Sequence, residues 1–561
     1  TGETSPTSEK GDGLLAKPVD STSQAQPGGV YQGFEINEIQ GMDPHKSGSA
    51  RTMTVAQYTY LRLFKGVTSF SGTQTYEVTG DLAESWEFTD GGQQLTLKLR
   101  PGVTWDRRAP TNGRPVDAQD VTFSADRFLA SSSYASNYFN AKSKAAPITA
   151  LETPDDRTVV LKLAFPYVPL LATFSRALNM WIIPREAEGG FNPLTDVRGA
   201  GPWLLDEYTP SVGLTFKRNP DYYVKDRPFL DGWSSPIVPE YAARIAQFRA
   251  GNIWGGVARQ EDVLGLKRDL PQLNLIQGNY GVDTPLIYFG YQGPFKDVRL
   301  RQAVAQVIDR DLLAETLSDS KRFEDAGLPK AVRLNTHIGA GWDEWLDPAG
   351  TEFGPNAKYY RHDLAEAKKL MQAAGVNGKL KTRFYYPSDG YGATYQATVP
   401  ILAEMMNESG LFETELTPLN YQNEYIPKIH FGGERIGGWD GVALTPAAQG
   451  DEAGHQLQVQ YHSAGAASRQ PPGEDPKLDQ MIEAQLRETD PKKRASMIHE
   501  IQRSMPETMI AVPVFYQAAG FGLYWPWAGN VSAVRGTKVP PAEAHPYLWY
   551  DKVAHERAKP R

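Results

Sequence analysis

The sequence predicts a mixed α/β protein. Strand-like and helix-like stretches are interspersed along the chain, no segment repeats in tandem, and 561 residues are ample for several large cores. Apolar residues make up 40% and charged residues 22% of the chain, ordinary values for a packed protein, which exclude wholesale disorder.

The elements follow in order. Residues 1–29 are rich in Ser, Thr, Gly, Pro and charge and nearly lack aromatic side chains. Such a segment cannot offset its ordering entropy by burial and reads as a flexible tether. Leu95, Leu97 and Leu99 alternate with polar residues, so Gln94–Arg100 reads as a strand. Pro101-Gly102 then turns the chain into a second strand ending at Trp105. Asp117 stands as an N-cap after Pro115-Val116, with Val121, Phe123 and Phe128 able to reach a core. Thr158–Ala164 and Leu214–Lys217 carry the strand period again.

Helix signals dominate the second half. Asp297 caps a stripe of Leu300, Val304, Val307 and Ile308. Asp363 with Glu366 forms a capping box, followed by Leu370 and Met371, with Gly375 as the stop. Asp475-Pro476 and Asp490-Pro491 repeat an N-cap followed by a proline at the first helical position. The most apolar long stretch, residues 168–183, contains Ser175, Arg176 and Asn179 and is too short for a membrane span. No signal peptide is visible, and the first residue is Thr1, so a trimmed chain is expected.

Composition and motifs narrow the chemistry. There is no cysteine, which excludes disulfides, thiolate metal sites, iron–sulfur clusters and cysteine nucleophiles. The net charge of −8 argues against a nucleic-acid-binding surface. No GxSxG elbow and no phosphate-binding GxxxxGK[ST] loop occurs. His499-Glu500 begins like a zinc-protease motif, but Arg503 stands where the second histidine belongs. His455 and His462, near Asp451, Glu452 and Tyr461, leave a metal or haem site conceivable, with hydrogen-bonded or solvated loop histidines as the plainer reading. Aromatic residues number 12 Trp, 27 Tyr and 22 Phe. The cluster Phe515, Tyr516, Phe521, Tyr524, Trp525 and Trp527 suits a core and also a ring facing a ligand.

Several blocks then occur in a fixed order. They begin with Met42-Asp43-Pro44 and Tyr60-Leu61, then Gly80-Asp81-Leu82-Ala83-Glu84-Ser85-Trp86 leading into Leu99-Arg100-Pro101-Gly102. Arg114-Pro115-Val116-Asp117-Ala118-Gln119-Asp120-Val121 follows, then Gly199-Ala200-Gly201-Pro202-Trp203 and Lys217-Arg218-Asn219-Pro220-Asp221-Tyr222-Tyr223. Asp297-Val298-Arg299-Leu300-Arg301-Gln302-Ala303, Ile308-Asp309-Arg310, the Asp363–Gly375 helix and Val512-Pro513-Val514-Phe515-Tyr516 complete the series. Together they resemble the extracytoplasmic solute-binding proteins of ABC transporters, family 5, the peptide, nickel and oligosaccharide type. The motifs read physically as scaffold residues.

The resemblance implies a two-lobed periplasmic-binding-protein fold, type II and cluster C-like, with ligand enclosed between lobes. It implies lobe I over residues 30–284, with an extra subdomain near 70–190, lobe II over 285–515, and a return of 516–561 to lobe I. Both crossings become hinge segments. Gly437-Gly438-Trp439-Asp440 resembles the family's Gly-Trp segment at the cleft-facing end of a lobe-two strand. Trp439 and Asp440 are therefore candidate ligand contacts, Asp440 or Asp451 for a ligand ammonium and Arg435 for a carboxylate. The Asp-Pro pair usual after this region is absent, since Glu452 follows Asp451. Tyr516, at the second crossing, and Tyr31, with Asp43 at the first-lobe edge, complete the candidates.

The expected function is solute capture for an ABC importer, without catalysis, cofactor or metal. The expected partners are a small-molecule or peptide ligand and the permease subunits, with no nucleic acid. A monomer is expected, outside the cytoplasm, touching the membrane only through a lipidated cysteine just before Thr1. The alternatives are a ligand-sensing protein on the same scaffold and a carboxylate-dependent hydrolase.

Overall fold

The computed structural model describes residues 13–560 apart from 18, 40, 48, 69, 71–76, 145, 177–179, 279–280, 282–284, 319, 330–331, 389–391, 431–437, 446–451, 466, 470, 472, 515 and 532–542. The chain divides into two compact units, Thr1–Asn279 with Ala519–Arg561, and Tyr280–Ala518.

In the first unit, β1 (Val30–Gln32) is followed by β2 (Ala83–Thr89), β3 (Gln94–Leu99), α1 (Ala118–Ser131), β4 (Ile148–Asp155) and β5 (Thr158–Leu163). Strands β2 to β5 form an antiparallel sheet in the order β2-β3-β5-β4. Leu95, Leu97 and Leu99 are fully buried, as their alternation predicts. The strand expected beyond Pro101-Gly102 shrinks to a single bridge, Thr104 to Pro115. Trp105 turns inward there, and its Nε1 donates to Asp120 at 2.9 Å.

The charged motif around α1 is an ion-pair clip. Asp117 accepts from the backbone of Gln119 and Asp120, and the Asp120 side chain returns the bond to the Asp117 backbone. Arg114 donates to Asp120 at 2.7 and 2.8 Å and to both Glu186 oxygens at 2.6 Å. Arg185 reaches Asp117 at 2.7 Å. Asp43 is likewise committed: it is fully buried and bidentate to Arg127, with one bond at 2.8 Å. These residues hold the scaffold, as the sequence implies.

Strands β6 (Trp203–Thr209), β7 (Gly213–Arg218) and β8 (Gly232–Pro236) join β1 in the order β1-β8-β7-β6, and β9 (Asn274–Gln277) follows. The second unit then begins.

Its elements are β10 (Leu286–Phe289), α2 (Val298–Val307), α3 (Leu364–Ala373), β11 (Leu380–Pro387), β12 (Phe412–Leu419), β13 (Val442–Thr445), α4 (Ala453–Tyr461), α5 (Pro476–Arg487), α6 (Pro491–Thr508) and β14 (Ala511–Pro513). The sheet order is β12-β11-β13-β10-β14. Strand β10 runs antiparallel to both neighbours, and β11 runs parallel to β12 and β13. Asp297, Asp363, Asp475 and Asp490 each cap their helix through a side-chain bond to a backbone N–H. Leu300, Val304, Val307 and Ile308 pack with Ile287, Phe384, Leu444 and Met371 in one core. Arg301 donates to the Thr508 carbonyl at the end of α6, at 2.7 and 3.0 Å. The last strand of this unit, β15 (Tyr516–Ala518), pairs with Val332–Leu334.

The chain then returns to the first unit as β16 (Phe521–Tyr524), antiparallel to β9, and closes with α7 (Lys552–Ala558). Trp525 and Trp527 are fully buried core residues. Part of the stretch read as a tether is attached to this unit. Leu15 bridges to Leu275, and Ser21 Oγ donates to Asn530 at 2.8 Å. Residues 1–12 lie outside the described residues.

Burial is the main cause that lowers the pKa values of three buried imidazoles: His45 to about 4, His337 and His545 to about 3. In the unfolded chain each takes a proton near pH 6.5. The unfolded state therefore binds more protons below that pH. Stability is complete above 6.5 and falls as pH drops toward the folded values, by up to about 1.4 kcal/mol per pH unit and histidine. Urea unfolding at pH 7.5 and pH 5 should show a loss of several kcal/mol at the lower pH, reduced in His545→Phe. Equal stabilities at the two pH values would contradict this.

Candidate functional site

Strands β11, β12, β13 and β14 run in one direction, so their C-terminal residues Pro387, Leu419, Thr445 and Pro513 share one edge of the second unit's sheet. In open α/β sheets the loops leaving this edge form the binding crevice. Thr445 is fully buried, and its Oγ1 has no hydrogen-bond partner among the described residues. The preceding carbonyl, of Leu444, accepts the hydroxyls of Tyr425, at 2.8 Å, and of Tyr395.

A buried cation lies beside this strand. The Arg469 guanidinium sits 4.4 Å from the Tyr288 ring centroid and donates to the carbonyls of Ala467 at 3.0 Å and Ile429 at 3.2 Å. Burial raises the Tyr288 phenol pKa, and the neighbouring guanidinium opposes that rise. Helix α4, which follows β13, is buried along its whole length. Its N-cap, Glu452, accepts from the His455 backbone and pairs with Arg494 at 2.7 Å. Nearby, burial and then the Glu452 charge push the Glu344 carboxyl up to about 7.

The outer edge of β14 is tied down by side chains. His337 Nε2 donates to the Ala511 carbonyl at 3.0 Å, its Nδ1 accepts from Tyr360 at 2.9 Å, and Arg310 Nε donates to Pro513 at 2.8 Å. An edge strand with satisfied carbonyls cannot recruit another strand.

Trp439 and Asp440 precede β13, at the opposite end of this strand from Thr445. Trp439 is 3% exposed and lies edge-on to Tyr385, at 5.8 Å and 90°. Its carbonyl accepts from Gln292 at 3.1 Å. Asp440 is exposed, accepts from the Tyr385 hydroxyl at 2.9 Å, and has Arg383 at 3.7 Å. These two candidates are thus brought together, joined by Tyr385 and Arg383. Arg435 and Asp451 lie outside the described residues. Tyr516 sits on β15, opposite Leu334, its phenol pushed up to about 12 chiefly by burial. Tyr31 belongs to the first unit, 7% exposed and stacked on Trp233 at 3.9 Å. His462 lies 3.3 Å from Glu483. Among the described residues no group of three or more His, Asp or Glu is placed to hold a metal.

Sequence reasoning did not single out Thr445, Tyr395, Tyr425 or Arg469. The end of the apolar run Val442–Leu444 is a local signal for Thr445. Arg469 has none, because the ring beneath it comes from a distant strand.

The family model for bacterial extracellular solute-binding proteins, family 5 Middle, matches residues 77–449. The chain belongs to the bacterial extracellular solute-binding proteins, family 5. A putative ABC transporter peptide-binding protein of Brucella ovis is 27% identical over 328 residues, covering 54% of this chain and 59% of that protein. The chain therefore spans about three fifths of this relative's length. A probable deoxycholate-binding periplasmic protein of Escherichia coli is 22% identical, with 90% of this chain and 91% of that one covered. The periplasmic binding protein DppA from Helicobacter pylori, solved with the peptide STSA, superposes with a TM-score of 0.70 at 17% identity, over 94% of this chain and 99% of that one. The fold is that of the two-lobed periplasmic binding proteins. Members of family 5 are binding proteins rather than enzymes, and the hydrolase alternative finds no support.

In this family 5 chain the position of Trp439 depends on Gly290. A Cβ there would lie 2.2 Å from the Trp439 carbonyl oxygen, and the Gly290 N–H donates to the Gly441 carbonyl at 2.9 Å. Gly290→Ala should lower the stability of the second unit by about 2 kcal/mol and change the Trp439 fluorescence. Unchanged unfolding and emission would refute that packing.

Proposed function

We propose that this protein is the solute-capturing component of an ABC importer. It takes up a peptide- or oligosaccharide-sized solute by hinge closure and delivers it to the membrane permease, with no chemistry of its own. The observation that carries this reading is the C-terminal edge of the second unit's sheet, where the Thr445 hydroxyl has no partner among the described residues, in a chain that passes between its units twice. Family membership and the peptide-binding relatives support it. No helix among the described residues is long and apolar enough to cross a membrane. The protein acts outside the cytoplasm as a monomer, held by a lipid anchor ahead of Thr1.

Thr445 supplies a hydroxyl to the solute in this reading. Tyr516 offers it a phenol, with Asp451 and Arg435 as further charged contacts, whereas Asp440, at the other end of β13, is held by Tyr385. Trp439 acts through packing, and Tyr31 through the first unit's core.

Native mass spectrometry of purified protein, followed by thermal-shift titration with peptides, oligosaccharides and bile acids, tests the proposal. The expected result is a non-covalent adduct lost on denaturation, or a saturable rise in Tm with micromolar affinity, about −8 kcal/mol. Thr445→Val keeps the shape and removes the hydroxyl, and should weaken that affinity about fivefold, or ~1 kcal/mol. Absence of adduct and of any Tm shift across all three classes would overturn the proposal.

A further inference from the structure

The first unit contains a continuous ladder of aromatic rings. Trp233 stacks on Tyr31 at 3.9 Å and 17°, and Tyr31 meets Trp254 at 5.0 Å. Trp254 stacks on Tyr550 at 5.3 Å and 29°. A second arm comes from Trp525, stacked on Trp527 at 4.5 Å and 10°, which meets the His555 ring at 4.3 Å. Both arms converge on one pair, because the Tyr550 hydroxyl is hydrogen-bonded to His555 Nδ1.

Exposure is greatest at the end that the two arms share. Trp233, Tyr31 and Trp254 are 5 to 7% exposed, Trp525 and Trp527 are at 0%, and Tyr550 and His555 are only half-buried. Indole and phenol are the side chains that lose one electron most readily after thiols, and this chain has no cysteine. Rings in contact exchange an electron hole faster than a buried radical reacts with its surroundings. A phenol is easiest to oxidise when a base takes its proton in the same step. Tyr550 has that base: burial holds the His555 imidazole below its usual range, so it is neutral and able to accept.

We infer that this ladder is a hole-conducting path that drains one-electron oxidation from the buried tryptophans to the Tyr550–His555 pair at the surface. A one-electron oxidant removes an electron from Trp233 or Trp525. Electrons passed inward from ring to ring fill that hole and move it to Tyr550. Tyr550 gives up one electron to the ladder and its phenolic proton to His555 Nδ1, leaving a neutral phenoxyl radical and an imidazolium. A small thiol or enediol reductant in solution returns one electron to the phenoxyl, and the proton goes back from His555. The buried rings that build the first unit are thereby left intact.

The test uses the full chain with photogenerated tris(bipyridine)ruthenium(III) as oxidant and a nitroso spin trap, followed by peptide mapping. The expected result is a tyrosyl radical signal and trap adducts concentrated on the peptide holding Tyr550. Tyr550→Phe keeps the stacking ring and removes the phenol. It should cut that adduct at least fivefold and transfer oxidation to Trp254 and Trp233. His555→Gln removes the base and should slow tyrosyl formation while leaving the Trp254 contact in place. Adducts spread over tyrosines by exposure alone, or buried tryptophans that stay unmodified in a folded Tyr550→Phe variant, would overturn the inference.

Discussion

The first unit depends on a long-range closure: its final strand and the loop around Glu543 must return across the whole second unit. Arg62 and Glu543 are paired at 2.7 Å with side chains 4% and 7% exposed, and Glu543 also accepts from the Gly66 backbone at 2.9 Å. Removing either partner strands a buried charge, which costs about 3 to 5 kcal/mol. Strand β16 on β9 and the Trp525 indole on the Phe248 carbonyl, at 2.8 Å, add to the same closure. The second unit is continuous in sequence and has its own core. The first unit, by contrast, is built from two segments far apart in the chain, and such non-local contacts slow folding. The chain thereby passes between the units twice.

Much of the scaffold was legible because its signals are local. Asp117, Asp297, Asp363, Asp475 and Asp490 sit at helix starts in the sequence and cap those helices in the structure. The Leu95-Leu97-Leu99 alternation needed only a period of two. Where a residue's partner lies in another element, no local signal marks it. Trp105 has the pattern of a strand residue, but the acceptor on Asp120 draws it inward. The segment 13–29 has the composition of a tether, yet Ser21 meets Asn530 and Trp549. No local pattern contains those partners.

The candidate site shows the same division. The Gly-Trp segment was found by resemblance, and its neighbours Tyr385 and Arg383 came only with the strand pairing. The edge residue Thr445 became visible once β11, β13 and β14 were aligned. The aromatic load was evident from composition, whereas its ordering into a ladder rests on β1, β8 and the C-terminal segment meeting in one unit. One tertiary event, the return of the last segment, therefore completes the first unit's core and builds the ladder.

Small-angle X-ray scattering tests solute capture by hinge closure most directly. Profiles would be recorded for the full chain carrying its co-purified or titrated solute and for the same chain after the solute is stripped and the protein refolded. A smaller radius of gyration is expected in the loaded protein, reversed on stripping. Superimposable profiles at saturating solute would contradict it.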